Sequence, residues 1–389
     1  MRKFLLALAL ACPSLAQADV LAQWVQFTPN GGQERRVVAS GPECPIGMAL
    51  RAAPDANFPV RLCARPVDAA TTAPNRILVL GDTGCRIKGS AVQACNDPKA
   101  WPFAQIAAQA AALKPDLVIH VGDYLYRESP CPEGNAGCAG SPYGDNWASW
   151  NADFFAPAAP LLAAAPWVIV RGNHEDCERG GPGWLRLLGP TAYDPAAACT
   201  PHLAPYAVNA GAMSLIVMDN ASAPDTTVDH DLLGGYKSDF AALPTLASGP
   251  IWLAMHRPIW GAIMGPAGIP LGGNATLIAA LGDSQSVNAA SLMLAGHIHT
   301  FEAMNYAKVK PPTIVAGFSG DNLDVTPVDL SGANMSGTYV TDGMSLPGFG
   351  FLLMEQEGDG WRIDVHKVDG SIERVCRFAN GRVDCPAAP

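Results

Sequence analysis

The stretch DLVIHVGDYLY (residues 116–126) is an apolar run that ends abruptly at an acid and is followed by two tyrosines, the second three positions after the acid. An unbroken run of Leu, Val and Ile fits a strand buried on both faces, since a half-exposed strand alternates apolar with polar residues. The arrangement recurs on either side: RILVLGD (76–82), PWVIVRGNH (166–174), SLIVMD (214–219), PIWLAMH (250–256) and SLMLAGHIH (291–299) are apolar runs with polar ends. Between the first two runs, WPFAQIAAQAAALKP (101–115) is Ala-rich, amphipathic and stopped by Pro115, which reads as a helix. Together these elements predict an α/β domain whose strand ends converge on polar loops, the usual place for a ligand in such sheets.

Residues 19–72 read as a small N-terminal β-rich segment, with LAQWVQF, ERRVVAS and FPVRLCARPV split by Pro and Gly turns. DAATTAPN (68–75) then reads as a linker, and residues 73–389 as the main domain. The tail alternates, in GFGFLLMEQ, GWRIDVHKV and IERVCRF, which predicts antiparallel strands closing a second sheet.

The first 18 residues carry Arg2 and Lys3, a short apolar run from Phe4 to Ala11, and Ala16-Gln17-Ala18 as a small-x-small cleavage pattern. This is the layout of a signal peptide, and the apolar run is well short of the roughly 20 residues that span a bilayer. The expected product is exported, periplasmic or secreted, without a membrane span. Net charge is −10 for the whole chain and −12 once Arg2 and Lys3 are removed. With no basic run, a nucleic acid partner is not expected. Of the eleven cysteines, Cys12 falls in the leader and ten remain, in neighbouring couples: 44 and 63, 85 and 95, 131 and 138, 177 and 199, 376 and 385. An even set in an exported chain favours disulfides, with neighbour pairing the simplest connectivity, and no Cys-x₂₋₄-Cys spacing points to zinc. Oligomeric state is not legible.

Taken singly, each polar strand tip is unremarkable: an Asp after a strand caps a turn, and a lone His is usually a satisfied core residue. Five tips in one chain are another matter. Their contents, two Asp, one Asn and three His, make an oxygen and nitrogen ligand set sufficient for two metal ions, of the kind that suits iron, manganese or zinc. One carboxylate can bridge two ions roughly 3.5–4 Å apart.

GDTG (81–84), GDYLY (122–126), GNHE (172–175), MHRP (255–258) and GHIH (296–299) stand in the order found in calcineurin-like metallophosphoesterases, which the chain resembles over roughly residues 75–301. The resemblance implies two packed mixed β-sheets flanked by helices, the α+β four-layer arrangement. Where most members have His as third residue of the first motif, this chain has Gly84, and Tyr126 stands three after Asp123. Both features are similar to purple acid phosphatases, in which a Tyr replaces that His as a metal ligand. Carried over, the resemblance implies one ion held by Asp82, Asp123, Tyr126 and His299. A second ion would be held by Asp123, Asn173, His256 and His297, with Asp123 shared. Phenolate and carboxylates suit Fe(III), and the neutral Asn and His set suits a divalent Fe, Zn or Mn. Tyr124 is assigned to packing.

His174 matches a family residue that contacts phosphate or aids the leaving group; the alternative is a contact that orients the Asn173 loop. Arg257 either contacts phosphate or forms a salt bridge. Glu175 and Asp176 read as loop caps, and His120, His202, His230 and His366 as structural. Plant-type members carry a further His pair after the MHxP motif, but IWGAIMGPAGIP (259–270) has none, which leaves the leaving-group acid open. The implied activity is hydrolysis of a small phosphate monoester by a metal-bound hydroxide. The alternatives are a phosphodiesterase acting on nucleotides or lipid head groups, and a non-catalytic metal or phosphate binder.

Overall fold

Arg76–Leu80, Leu117–His120 and Pro166–Ile169 lie side by side as parallel strands, in register at Ile77 with Leu117, Leu80 with His120 and Val118 with Trp167. In this computed structural model, which describes residues 19–68, 72–210, 213–246, 251–265, 270–307 and 310–387, they form the centre of an eleven-stranded sheet. Met213–Val217, Ile251–Ala254, Ala290–Ala295 and Thr313–Ala316 are likewise parallel and form the centre of an eight-stranded sheet. Further out, both sheets carry antiparallel pairings, so each sheet is mixed.

The two sheets pack face to face. Ile77, Val79, Ile119 and Val168 of the first share a buried cluster with Leu215, Trp252, Leu294 and Ile314 of the second. Alternate residues of the same strands point the other way. Leu78, Leu80 and Val118 pack with Ile106 and Leu161 of the helices Phe103–Ala112 and Ala156–Leu162. Ile216, Leu253 and Met293 pack with Phe240 and Leu277 of the helices Leu233–Leu246 and Ala275–Leu281. Period-two alternation with both faces covered is why these strands read as continuous apolar runs. The result is the four-layer arrangement implied above. The helix Phe103–Ala112 buries Phe103, Ile106, Ala107 and Ala110, one face at helical spacing. It ends where Pro115 disfavours helical geometry in Lys114, whose φ is +53°.

The tail strands correct the sequence expectation. Gly350–Glu357 pairs antiparallel with Arg76–Leu80, at Leu352 with Val79 and Met354 with Ile77, so the tail extends the first sheet and not the second. The physical reason is the free edge of Arg76–Leu80: Leu117–His120 occupies only one side, and the other row of amides needs partners. Phe301–Tyr306 and Thr338–Leu346 extend the second sheet, whose edges are Tyr206–Ala210 and Asn334–Met335. At the other end of the first sheet, Val20–Phe27 runs parallel to Pro166–Ile169, making residues 20–67 continuous with it. Arg36 fastens this region: its buried guanidinium donates to the carbonyls of Leu187 (3.1 Å) and Gly189 (2.9 Å). The leader expected at residues 1–18 lies outside the described residues, and the linker expected at 68–75 does so in part.

The cysteines pair with their neighbours: Cys44 with Cys63, Cys85 with Cys95, Cys131 with Cys138, Cys177 with Cys199 and Cys376 with Cys385. Among the described residues, no helix is long and apolar enough to cross a membrane.

Candidate metal centre

The parallel strands of both sheets end at the same edge, and their tips meet there. Asp82 (φ +56°), Asp123 (φ +62°) and His297 (φ +73°) hold left-handed backbone geometry, which side chains other than Gly rarely adopt. Such conformations cost on the order of 1–3 kcal/mol each and persist only where the surroundings enforce them. Here the amide of Asp82 donates to Gly122 O (2.9 Å) and that of Thr83 to Asp123 O (3.0 Å), locking the two turns together. The neighbouring glycines permit the approach. A Cβ on Gly122 would stand 2.5 Å from His256 Nδ1, and one on Gly172 would stand 2.1 Å from the Asp123 amide nitrogen.

Two groups of ligand atoms result. Asp82, Asp123 and His299 form one and Asp123, His256 and His297 the other, with the atoms of each within 4.8 Å of one another. Asp123 belongs to both. The Tyr126 hydroxyl joins the first group, 3.1 Å from Asp82 Oδ1, 2.8 Å from Asp123 Oδ2 and 3.2 Å from His299 Nε2. Asn173 joins the second, its Oδ1 2.9 Å from His256 Nε2, which is itself 3.2 Å from Asp123 Oδ2. His256 Nδ1 faces Val121 O (2.8 Å) and His299 Nδ1 faces Asn322 O (2.7 Å), so each carbonyl engages one ring nitrogen and leaves Nε2 turned inward.

The electrostatics favour a cation. Burial works against the Asp123 charge, yet His256 and His174 hold its carboxyl well below the ordinary value. Burial pushes the Tyr126 phenol well up, and the charges of Asp123 and Asp82 push it further. His299 rises to about 10: burial opposes its charge, but its hydrogen bond to Asp82 and the charges of Asp321 and Asp82 prevail. For His297, burial and then Arg257 lower the imidazole, leaving it neutral as a metal ligand must be. Carboxylate and phenol oxygens crowded with imidazole nitrogens and a carboxamide are the donor set of an oxygen- and nitrogen-liganded metal pair, and the residues present fit it.

The structure thus brings together Asp82, Asp123, Tyr126, Asn173, His256, His297 and His299, drawn from motifs up to about 215 residues apart, as the Asp82 to His297 contact shows. The His174 ring lies over that of Tyr126, centroids 3.8 Å apart, with Nε2 4.0 Å from Asp123 Oδ2. Arg257 forms the salt bridge, to Asp225, and its Nε donates to Ala221 O (3.1 Å). Tyr124 packs: its hydroxyl donates to Val170 O (2.9 Å) and its ring stacks on His120.

Glu175 is a loop anchor, as expected. Its carboxylate accepts from the amides of Asp123 (3.2 Å), Tyr124 (2.8 Å), Leu125 (3.0 Å) and Gly172 (3.1 Å). Burial first, then the charge of Asp123, pushes it up to about 8.

Three residues at the site had not been singled out in the sequence. Asn220 Oδ1 accepts from the amides of His256 (3.1 Å) and Arg257 (3.0 Å). Glu128 Oε1 lies 2.6 Å from His174 Nδ1. Asp225 Oδ2 lies 2.9 Å from His297 Nε2. Asn220 follows a strand already marked by its polar end, so a signal existed. Asp225 sits in a loop with none.

Residues 75–301 match the calcineurin-like phosphoesterase family, and the chain belongs to it. That family is one of hydrolases acting on phosphate esters. Among solved structures, the fold is similar to a purple acid phosphatase from yellow lupin (Lupinus luteus) seeds, at 12% identity, with 94% of this chain and 77% of that one covered and a TM-score of 0.54. It is similar also to PhoD, at 11% identity, with 97% and 94% covered and a TM-score of 0.55. No curated protein matches the sequence.

Proposed function

We propose that this chain is an exported, binuclear metal-dependent phosphohydrolase of the acid phosphatase kind, acting on small phosphate monoesters. Asp82, Asp123, Tyr126 and His299 hold one ion, Fe(III), and Asp123, Asn173, His256 and His297 hold a divalent Fe, Zn or Mn. The observation that carries this is the shared position of Asp123 between the two ligand groups, with the Tyr126 hydroxyl 2.8 Å from it.

When bound, such a pair lowers the pKa of water to supply hydroxide and offsets charge on the phosphoryl oxygens. The residues of the chain do the rest. Asp123 would be shared by the two ions, and Tyr126 would supply an oxygen that, once deprotonated, favours the trivalent one. His174, its Nε2 4.0 Å from Asp123 Oδ2 and its Nδ1 2.6 Å from Glu128 Oε1, is the residue we assign to contact the phosphoryl group and to give a proton to the departing oxygen. It takes the role left open by the missing His pair in 259–270. Arg257 serves the site through its pairing with Asp225. The five disulfides suit an oxidising compartment, and they support export.

The test is activity towards para-nitrophenyl phosphate and its bis ester, with metal analysis on the same sample. Two ions per chain and preferential monoester cleavage are expected. Faster cleavage of the bis ester would make it a phosphodiesterase, and no turnover with bound metal would make it a binder.

A further inference from the structure

His297 has two ring nitrogens, and one of them is already spoken for. Its Nε2 lies 2.9 Å from Asp225 Oδ2 and 3.0 Å from Arg257 Nη1, and Arg257 Nη1 is itself paired with the same Asp225 oxygen. A metal cation would not settle beside a guanidinium at that distance, so the free edge of the ring, Nδ1, is the one available to an ion. With Nδ1 committed, Nε2 must carry the proton, and Asp225 is the acceptor in place to receive it. Arg257 holds the carboxylate there, and Asn274 Nδ2 donates to its other oxygen (2.8 Å).

The geometry points to Asp225 as the residue that positions His297 for the second ion. It does so by accepting the Nε2 proton, which fixes both tautomer and ring orientation and makes Nδ1 the more basic donor. The inference rests on the two-ion reading above. Carboxylates that back a metal-bound imidazole in this way typically affect metal affinity about 10- to 100-fold. Asp225 lies in the loop after the Met213–Val217 strand and belongs to none of the strand-tip motifs.

Asp225 also touches structure unrelated to His297. Its backbone carbonyl accepts from Ala275 N (2.8 Å), and Asn274 caps the following helix through Leu277 N (2.8 Å). A loss of folding must therefore be separated from a loss of positioning. Full-length protein is stripped and titrated with Zn²⁺, with bound metal counted per chain and thermal unfolding of the metal-free form measured alongside. Asp225→Ala is expected to keep the first ion and to weaken the second about 10- to 100-fold. Asp225→Asn, which keeps an acceptor oxygen, should recover part of that loss. Thr276→Ala loosens the same junction of loop and helix, where the hydroxyl accepts from Asp229 N (3.0 Å) and donates to Thr227 O (3.0 Å), without touching the Asp225 carboxylate or His297; it should lower the unfolding temperature yet bind the second ion as wild type does. An Asp225→Ala protein with wild-type affinity for the second ion would overturn the inference, as would a Thr276→Ala protein that weakens the ion equally. A wild type that binds fewer than two ions would overturn the two-ion reading, and this inference with it.

Discussion

The Cβ that Gly84 lacks would stand 2.7 Å from Cδ2 of Tyr126. The absent first-motif His and the present Tyr are thus two sides of one steric fact: the phenol ring occupies the space that a side chain at position 84 would need. Backbone confirms the crowding, since the same Cβ would be 2.7 Å from Tyr124 O and 3.0 Å from the Tyr126 amide.

Gly84→Ala is therefore expected to destabilise the protein by about 1–3 kcal/mol, the usual effect of overpacking, and to displace the Tyr126 hydroxyl. Tyr126→Phe keeps the ring and removes only the oxygen. If that oxygen binds Fe(III), the oxidised wild type is pink to purple, Tyr126→Phe folds well but loses the visible band, and Gly84→Ala weakens it. Tyr124→Phe, whose hydroxyl bonds only backbone carbonyls, keeps the colour. A band that survives in Tyr126→Phe would remove the tyrosine from the ligand set.

Two of the disulfides close loops that follow ligand-bearing turns. Cys177–Cys199 closes the loop after the Asn173 turn, and Arg171 reaches across it to Thr200 O (2.7 Å). Cys131–Cys138 closes the loop after Tyr126. Paired Cys→Ala replacement at either is expected to lower stability by about 2–4 kcal/mol in denaturant titration, with a raised KM. Peptide mapping that finds these four cysteines free or paired elsewhere would refute the assignment.

A pH effect is expected away from the metals. His202 Nε2 lies 2.5 Å from Asp239 Oδ2, and this hydrogen bond raises the imidazole above its ordinary 6.5 against the opposing effect of burial. A folded-state value above the unfolded one means that the protonated imidazole stabilises the fold. That contribution is full below about pH 6.5 and is lost as pH rises through the folded value. The gap in unfolding temperature between wild type and His202→Gln should be widest near pH 5.5 and shrink by pH 9. A gap that grows with pH would contradict the pairing.

Much of this was legible in the sequence because the central strands are covered on both faces: burial leaves continuous apolar runs, and the polar residue that ends each run stands out against them. Asp82, Asp123, Asn173, His256, His297 and His299 were all found in this way. The tail was harder. Alternation in 348–378 says that one face of each strand is buried but not which sheet it joins, and pairing of Leu352 with Val79 depends on an open edge that only the assembled fold reveals. Glu128 and Asp225 were not singled out because each acts through a side chain in a loop, at a contact 46 and 72 residues away, with no pattern of its own.

Asp123 is the residue the two ligand groups share, so its removal tests the proposal most directly. The measurement is metal content per chain, taken with hydrolysis of para-nitrophenyl phosphate, in wild type and Asp123→Ala purified without chelators. Two ions in the wild type, loss of both in Asp123→Ala and turnover reduced to background are the expected result. An Asp123→Ala protein that retains two ions per chain and most of its turnover would contradict the shared-carboxylate centre.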